Sequence, residues 1–102
     1  MKFGLKEDTI HKIQKVFSAF PEVDEAVLYG SRAKGNYKNG SDIDLTFMGN
    51  SISDTEWTTI HFDLDDLLTP YSFDLSLFST IDNPDLIDHI NRVGKTFYER
   101  GK

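Results

Sequence analysis

Two aspartates one residue apart, Asp42 and Asp44, close the stretch YGSRAKGNYKNGSDIDL (29–45), and Gly30, Gly35 and Gly40 precede them. DIDLTFM (42–48) alternates, with Ile43, Leu45 and Phe47 on one face and Asp42, Asp44 and Thr46 on the other. That pattern predicts a strand with its apolar face buried. Residues i and i+2 of a strand share a face, roughly 6.5–7 Å apart, so both carboxylates point the same way. SFDLSLF (72–78) repeats the layout, with Phe73, Leu75 and Leu77 inward and Asp74 and Ser76 outward. If the two strands are neighbours, three carboxylates meet on one exposed face. Two unit charges about 4 Å apart repel by about 4 kcal/mol at an effective dielectric of 20. Without a cation, one carboxyl is expected to take a proton. A divalent ion removes the conflict, and hard oxygen ligands with open positions suit Mg²⁺, which keeps waters and accepts phosphate oxygens.

The glycines supply the complementary half. Gly30 ends a short apolar strand, EAVLYG (25–30), and Ser31 begins a turn with one helical turn after it. A Gly-Ser step lets backbone N–H groups approach an anion, and a helix N-terminus favours negative charge there. Ser31 adds a hydroxyl, and Arg32, Lys34 and Lys38 bring positive charge. Gly35 and Gly40 read as turn residues. An anion cradle facing a carboxylate metal site describes a nucleoside triphosphate site.

These residues need elements to hold them. Ile10, Ile13, Val16, Phe17 and Phe20 follow helical spacing up to Pro21 and predict a helix over roughly 7–19. Ser53 with Glu56 is a capping box. It opens a helix whose buried face is marked by Trp57, Ile60, Leu64, Leu67 and Leu68 and which stops before Pro70. Asn83-Pro84 starts a last helix carried by Leu86, Ile87, Ile90 and Val93, with Gly94 to close it and KTFYE as a final strand. Mixed helices and strands predict an α+β domain, a small mixed sheet with helices packed on one face. Asp63, Asp65 and Asp66 fan around a helix and read as a solvated face. Asp82, Asp85 and Asp88 gather at a helix N-terminus and are explained by its dipole. His11, His61 and His89 lie far apart on helices without metal-ligand spacing and read as surface residues.

Composition narrows the classes. The 102 residues fit one domain, 1–102, with a single modest core. There is no cysteine, so disulfides and thiolate metal sites are excluded. Seventeen acidic residues against 11 basic ones give a net charge of -6, which leaves no electrostatic footprint for nucleic acid. No stretch has the length of a membrane span, and MKFGLKEDTIHK lacks the apolar core of a signal peptide, so a cytoplasmic location is expected.

Gly30-Ser31, ten intervening residues and Asp42-Ile43-Asp44 resemble the nucleotidyltransferase signature of the DNA polymerase beta superfamily. LYGSRAKGNYKNGSDIDL is similar to its minimal nucleotidyltransferase (MNT) group, and the resemblance continues through LLTPYSFDLSLF and NPDLIDHINRVGKTFYE. It implies a nucleotidyltransferase fold, two Mg²⁺ ions, and transfer of a nucleoside monophosphate, expected to be AMP from ATP. It places Gly30 and Ser31 at the triphosphate, Asp42 and Asp44 on the metals, and Asp74 as the third carboxylate; Arg32 and Lys34 are candidate nucleotide contacts from their place in the turn. By the same resemblance, one metal on Asp42 and Asp44 grips the triphosphate. The other, bridged by all three aspartates, activates an acceptor hydroxyl whose proton Asp74 takes. Many relatives are the antitoxin half of a two-gene module with a small helical HEPN protein, and some transfer AMP to a tyrosine of that partner. A HEPN-like protein or another subunit of a homo- or hetero-oligomer is therefore the expected partner. The residues after Asp74 are expected to form one helix and one strand, without an acceptor-holding domain among them. A second chain is expected to bring the acceptor, ahead of an aminoglycoside-type small molecule. The reading from a different class is a non-catalytic nucleotide-binding module that neutralises its partner by contact. Three intact aspartates favour the enzyme, because a docking protein has no reason to tolerate their repulsion.

Overall fold

The computed structural model describes residues 2–49 and 51–101. Its elements run α1 (Glu7–Ser18), β1 (Val23–Tyr29), α2 (Gly30–Lys34), β2 (Ile43–Gly49), α3 (Asp54–Asp65), β3 (Phe73–Leu77), a 3-10 turn (Phe78–Thr80), α4 (Pro84–Val93) and β4 (Lys95–Glu99). The four strands form one sheet in the order β3-β2-β1-β4. β1 is antiparallel to β2 and β4, whereas β2 and β3 are parallel. A parallel pair needs a crossover, and α3 provides it. Because β2 and β3 start at the same end of the sheet, the aspartate in second position of each falls into one row, Asp44 opposite Asp74.

Both faces of the sheet are covered. α1 and α3 set Ile10, Ile13, Phe17, Ile60 and Leu64 against Ala26, Leu28, Ile43, Leu45 and Phe47. Phe17 meets Phe47 edge-on at 5.0 Å, and Phe47 meets Trp57 edge-on at 5.5 Å. Such pairs add about 0.5–1.5 kcal/mol beyond their area. The expectation of helices on one face holds for these two. α4 lies on the opposite face, where Ile90 packs with Val27 and Tyr29, and Leu86 and Val93 flank them. The cause is visible in β1, whose AVLY run is buried on both sides as in a central strand.

The capping box at α3 forms as its spacing predicts, Ser53 Oγ accepting from the Glu56 N–H at 3.1 Å and Glu56 Oε1 from the Ser53 N–H at 3.0 Å. Asn83 Oδ1 likewise caps α4, accepting from the Asp85 N–H at 3.0 Å, with Pro84 in the first turn. Two side chains depart from expectation. Leu68 is 87% exposed rather than buried, because α3 ends at Asp65 and the chain leaves helical spacing, reaching φ +54° at Leu68. Thr46 is fully buried rather than facing solvent, and Ser76 Oγ donates to its Oγ1 at 2.9 Å. Among the described residues, no helix is long and apolar enough to cross a membrane.

Candidate active site

The site is a row across three strands. Tyr29, Asp44 and Asp74 are successive partners from β1 to β2 to β3, so their side chains share a face of the sheet. Asp42 precedes β2 by one residue and is exposed, as is Asp74, while Asp44 between them is half-buried. Burial first, then the charges of Asp74 and Asp42, push the Asp44 carboxyl up to about 6, against a lowering pull from Arg32. Asp44 and Asp74 are thus direct cross-strand partners, and Asp42 adds its charge from the residue before β2. Burial also pushes the Tyr29 phenol up, the neighbouring Ser76 hydroxyl opposing and the Asp74 and Asp44 charges adding to the rise.

Gly30 joins the turn to this row. Its φ is +76°, and a Cβ built there would run into the Asp44 carboxylate. Only glycine lets the backbone pass Asp44 at that distance and in that conformation. α2 follows for five residues and ends at Gly35, whose φ of +91° and N–H bond to the Ser31 carbonyl at 2.9 Å make an αL cap. With so short a helix the dipole contributes little, and what the turn can offer an anion is its amides and the partly exposed Ser31. Lys34 is exposed beside it.

Arg32 is placed otherwise than expected. It is 2% exposed. Its Nε and Nη2 donate to the Ser41 carbonyl at 3.1 and 2.9 Å, and Nη1 donates to the Phe3 carbonyl at 2.9 Å. Its guanidinium also lies 4.9 Å from the Tyr71 ring and 5.3 Å from that of Tyr37. The donors expected to meet phosphate are spent on backbone. They pin the loop at Ser41, the residue before Asp42, and so set where that carboxylate emerges. Replacing Arg32 with Lys removes the planar fork. The expected loss is about 1–3 kcal/mol of stability, read as a lower urea midpoint, and Arg32→Met should fare no better than Lys.

His89 is not the plain surface residue its spacing predicts: its Nε2 accepts from the Gly30 N–H at 3.1 Å. Sequence reasoning also passed over Glu22. The neighbouring Glu56 raises the Glu22 carboxyl above its ordinary value, and Glu22 Oε2 is buried without a hydrogen-bond partner.

Among the described residues, no three His, Asp or Glu side chains already stand together as a ready-made ion cage. The donor set nonetheless fits Mg²⁺. All three donors are hard carboxylates, and the charges of Asp74 and Asp42 acting on Asp44 are a conflict that a cation would relieve. Mg²⁺ characteristically uses one or two carboxylates and completes its shell with water and substrate phosphate.

The polymerase beta nucleotidyltransferase family model matches residues 11–102, and the chain belongs to that family. Among solved structures, a chain of a toxin-antitoxin crystallised with AMP-PNP is similar at TM-score 0.68 and 20% identity, covering 95% of this chain and 76% of that one. A chain of the complex between a tri-AMPylated Shewanella oneidensis HEPN toxin and its MNT antitoxin is similar at TM-score 0.67 and 18% identity, covering 93% and 73%. A chain of the toxin-antitoxin MntA-HepT gives 0.65 and 18%, covering 92% and 73%. At these identities the likeness is one of fold. No curated protein sequence matches the chain.

Proposed function

We propose that this chain transfers a nucleoside monophosphate, AMP from ATP, to a hydroxyl carried by a second protein chain. The observation that carries the reading is the abutment of Gly30 on Asp44, because it joins the polyphosphate cradle to the carboxylate row with no residue between them. Bound at Asp42, Asp44 and Asp74, Mg²⁺ would neutralise the carboxylates and lower the pKa of the acceptor hydroxyl. The turn amides and Ser31 Oγ hold the phosphates, and exposed Lys34 balances charge growing on the leaving group. Exposed Asp74 takes the proton of the acceptor hydroxyl. The freed oxygen attacks the α-phosphorus in line, the bond from that phosphorus to its bridging oxygen breaks, and pyrophosphate leaves.

Asp42 and Asp74 stand on an open face. A partner chain supplying both acceptor and enclosure agrees with that openness. The AMPylated HEPN toxin seen with a fold relative makes a HEPN-like protein the first partner to try. Incubation with α-³²P-ATP, Mg²⁺ and such a partner is expected to label the partner, and γ-³²P-ATP is expected to leave it unlabelled. Label from γ-³²P-ATP would make the protein a kinase. Neutralisation of the partner without transfer, kept by the doubly substituted Asp42→Ala, Asp44→Ala chain, would make it a contact antitoxin.

A further inference from the structure

We infer that His89 is a positioning residue of the nucleotide cradle, fixing the Gly30 peptide so that the amide and hydroxyl of Ser31 stay aimed at phosphate. The inference rests on the transferase reading. His89 and Gly30 are 59 residues apart, and the bond between them crosses from α4 to the start of α2. In this bond Nε2 serves as the acceptor and the Gly30 N–H as the donor. The ring stands edge-on to Tyr29 at 6.2 Å and 82°. Tyr29 is itself 8% exposed, which fixes the plane His89 rests on. His61 lies against Trp57 at 4.8 Å, and His11 is exposed. Of the three histidines, His89 is the one that reaches the site.

Gly30 has no Cβ and sits at φ +76°. A glycine peptide there can rotate unless something holds it. Its N–H is part-buried, and leaving such a donor unpaired is costly. The imidazole satisfies that donor and also fixes its direction. The next residue, Ser31, then inherits a defined orientation. Gly30 lies against Asp44, so a rotated Gly30 peptide would disturb the carboxylate row as well.

The test compares wild type, His89→Ala and His89→Gln, the last retaining an acceptor oxygen. Titration with a non-hydrolysable ATP analogue and Mg²⁺ should show His89→Ala binding about tenfold more weakly, with Gln within about threefold of wild type. In label transfer the loss should fall on KM for ATP rather than on kcat. The backbone amide of Gly30, followed by hydrogen exchange, should lose protection in Ala and keep it in Gln. Wild-type affinity in His89→Ala overturns this inference alone, as does equal weakening in Ala and Gln. A wild-type chain that binds no nucleotide overturns the transferase reading, and this inference falls with it.

Discussion

Gly30→Ala is expected to reduce transfer at least about a hundredfold, a loss on the scale of one well-placed electrostatic contact, while Gly35→Ala leaves transfer within a few-fold of wild type. Both glycines sit at positive φ, +76° and +91°. Both substitutions therefore pay a left-handed strain of about 1–2 kcal/mol. They differ in what the new methyl meets. At Gly35 nothing lies within 4 Å, whereas at Gly30 the methyl is driven into the Asp44 carboxylate. Asp44 must swing away or the turn must lift, and either movement separates phosphate from the carboxylate row. The comparison removes strain as a confounder. Thermal unfolding should show both variants folded, with Gly30→Ala the less stable. Equal transfer by the two would mean that the contact between turn and carboxylate has no part in the chemistry.

Much of the site was legible because its determinants are periodic. The alternation of DIDLTFM and SFDLSLF fixes which way Asp44 and Asp74 point, and the helix between those strands makes them parallel and in register. Positions decided by a distant backbone partner left no such trace. Arg32 sits in a glycine-rich turn, where a charged residue is normally solvated. Its burial depends on carbonyls of Ser41 and Phe3, and carbonyl groups are the same in every sequence. His89 escapes for the same reason, since its partner is an amide. The one available hint was that His89 precedes Ile90 on the helix whose apolar stripe follows Leu86, so it borders the buried face. α4 on the second face was hinted at too, by the unbroken apolar run of β1, which a strand wetted on one side would not need. Leu68 shows the opposite case: it keeps the helical spacing but lies past Asp65, the last residue of α3, and so stays exposed.

The same carboxylates that would make the site work also weaken the fold, and Asp44→Asn should show both effects at once. Asp44 is raised from 3.8 to about 6 by burial and by Asp74 and Asp42. A carboxyl whose folded value lies above its unfolded one favours the folded state while protonated. Its contribution is complete below about 3.8 and is lost as pH rises through about 6. Near pH 8 the charged form is therefore a liability. After discount for partial exposure, removing it should stabilise the Mg²⁺-free protein by about 1 kcal/mol. The melting temperature of Asp44→Asn should thus exceed that of wild type near pH 8 and converge with it near pH 4. Millimolar Mg²⁺ should close the gap from the other side, raising wild type by mass action and the variant less. Transfer should vanish in the variant at every pH. A variant less stable than wild type near pH 8 would show that Asp44 is held by partners rather than crowded by like charge. The case for a cation at the row would then lose its physical basis. Gain of stability together with loss of transfer is the result that electrostatic crowding at a working site requires, and a packing role for Asp44 would not produce it.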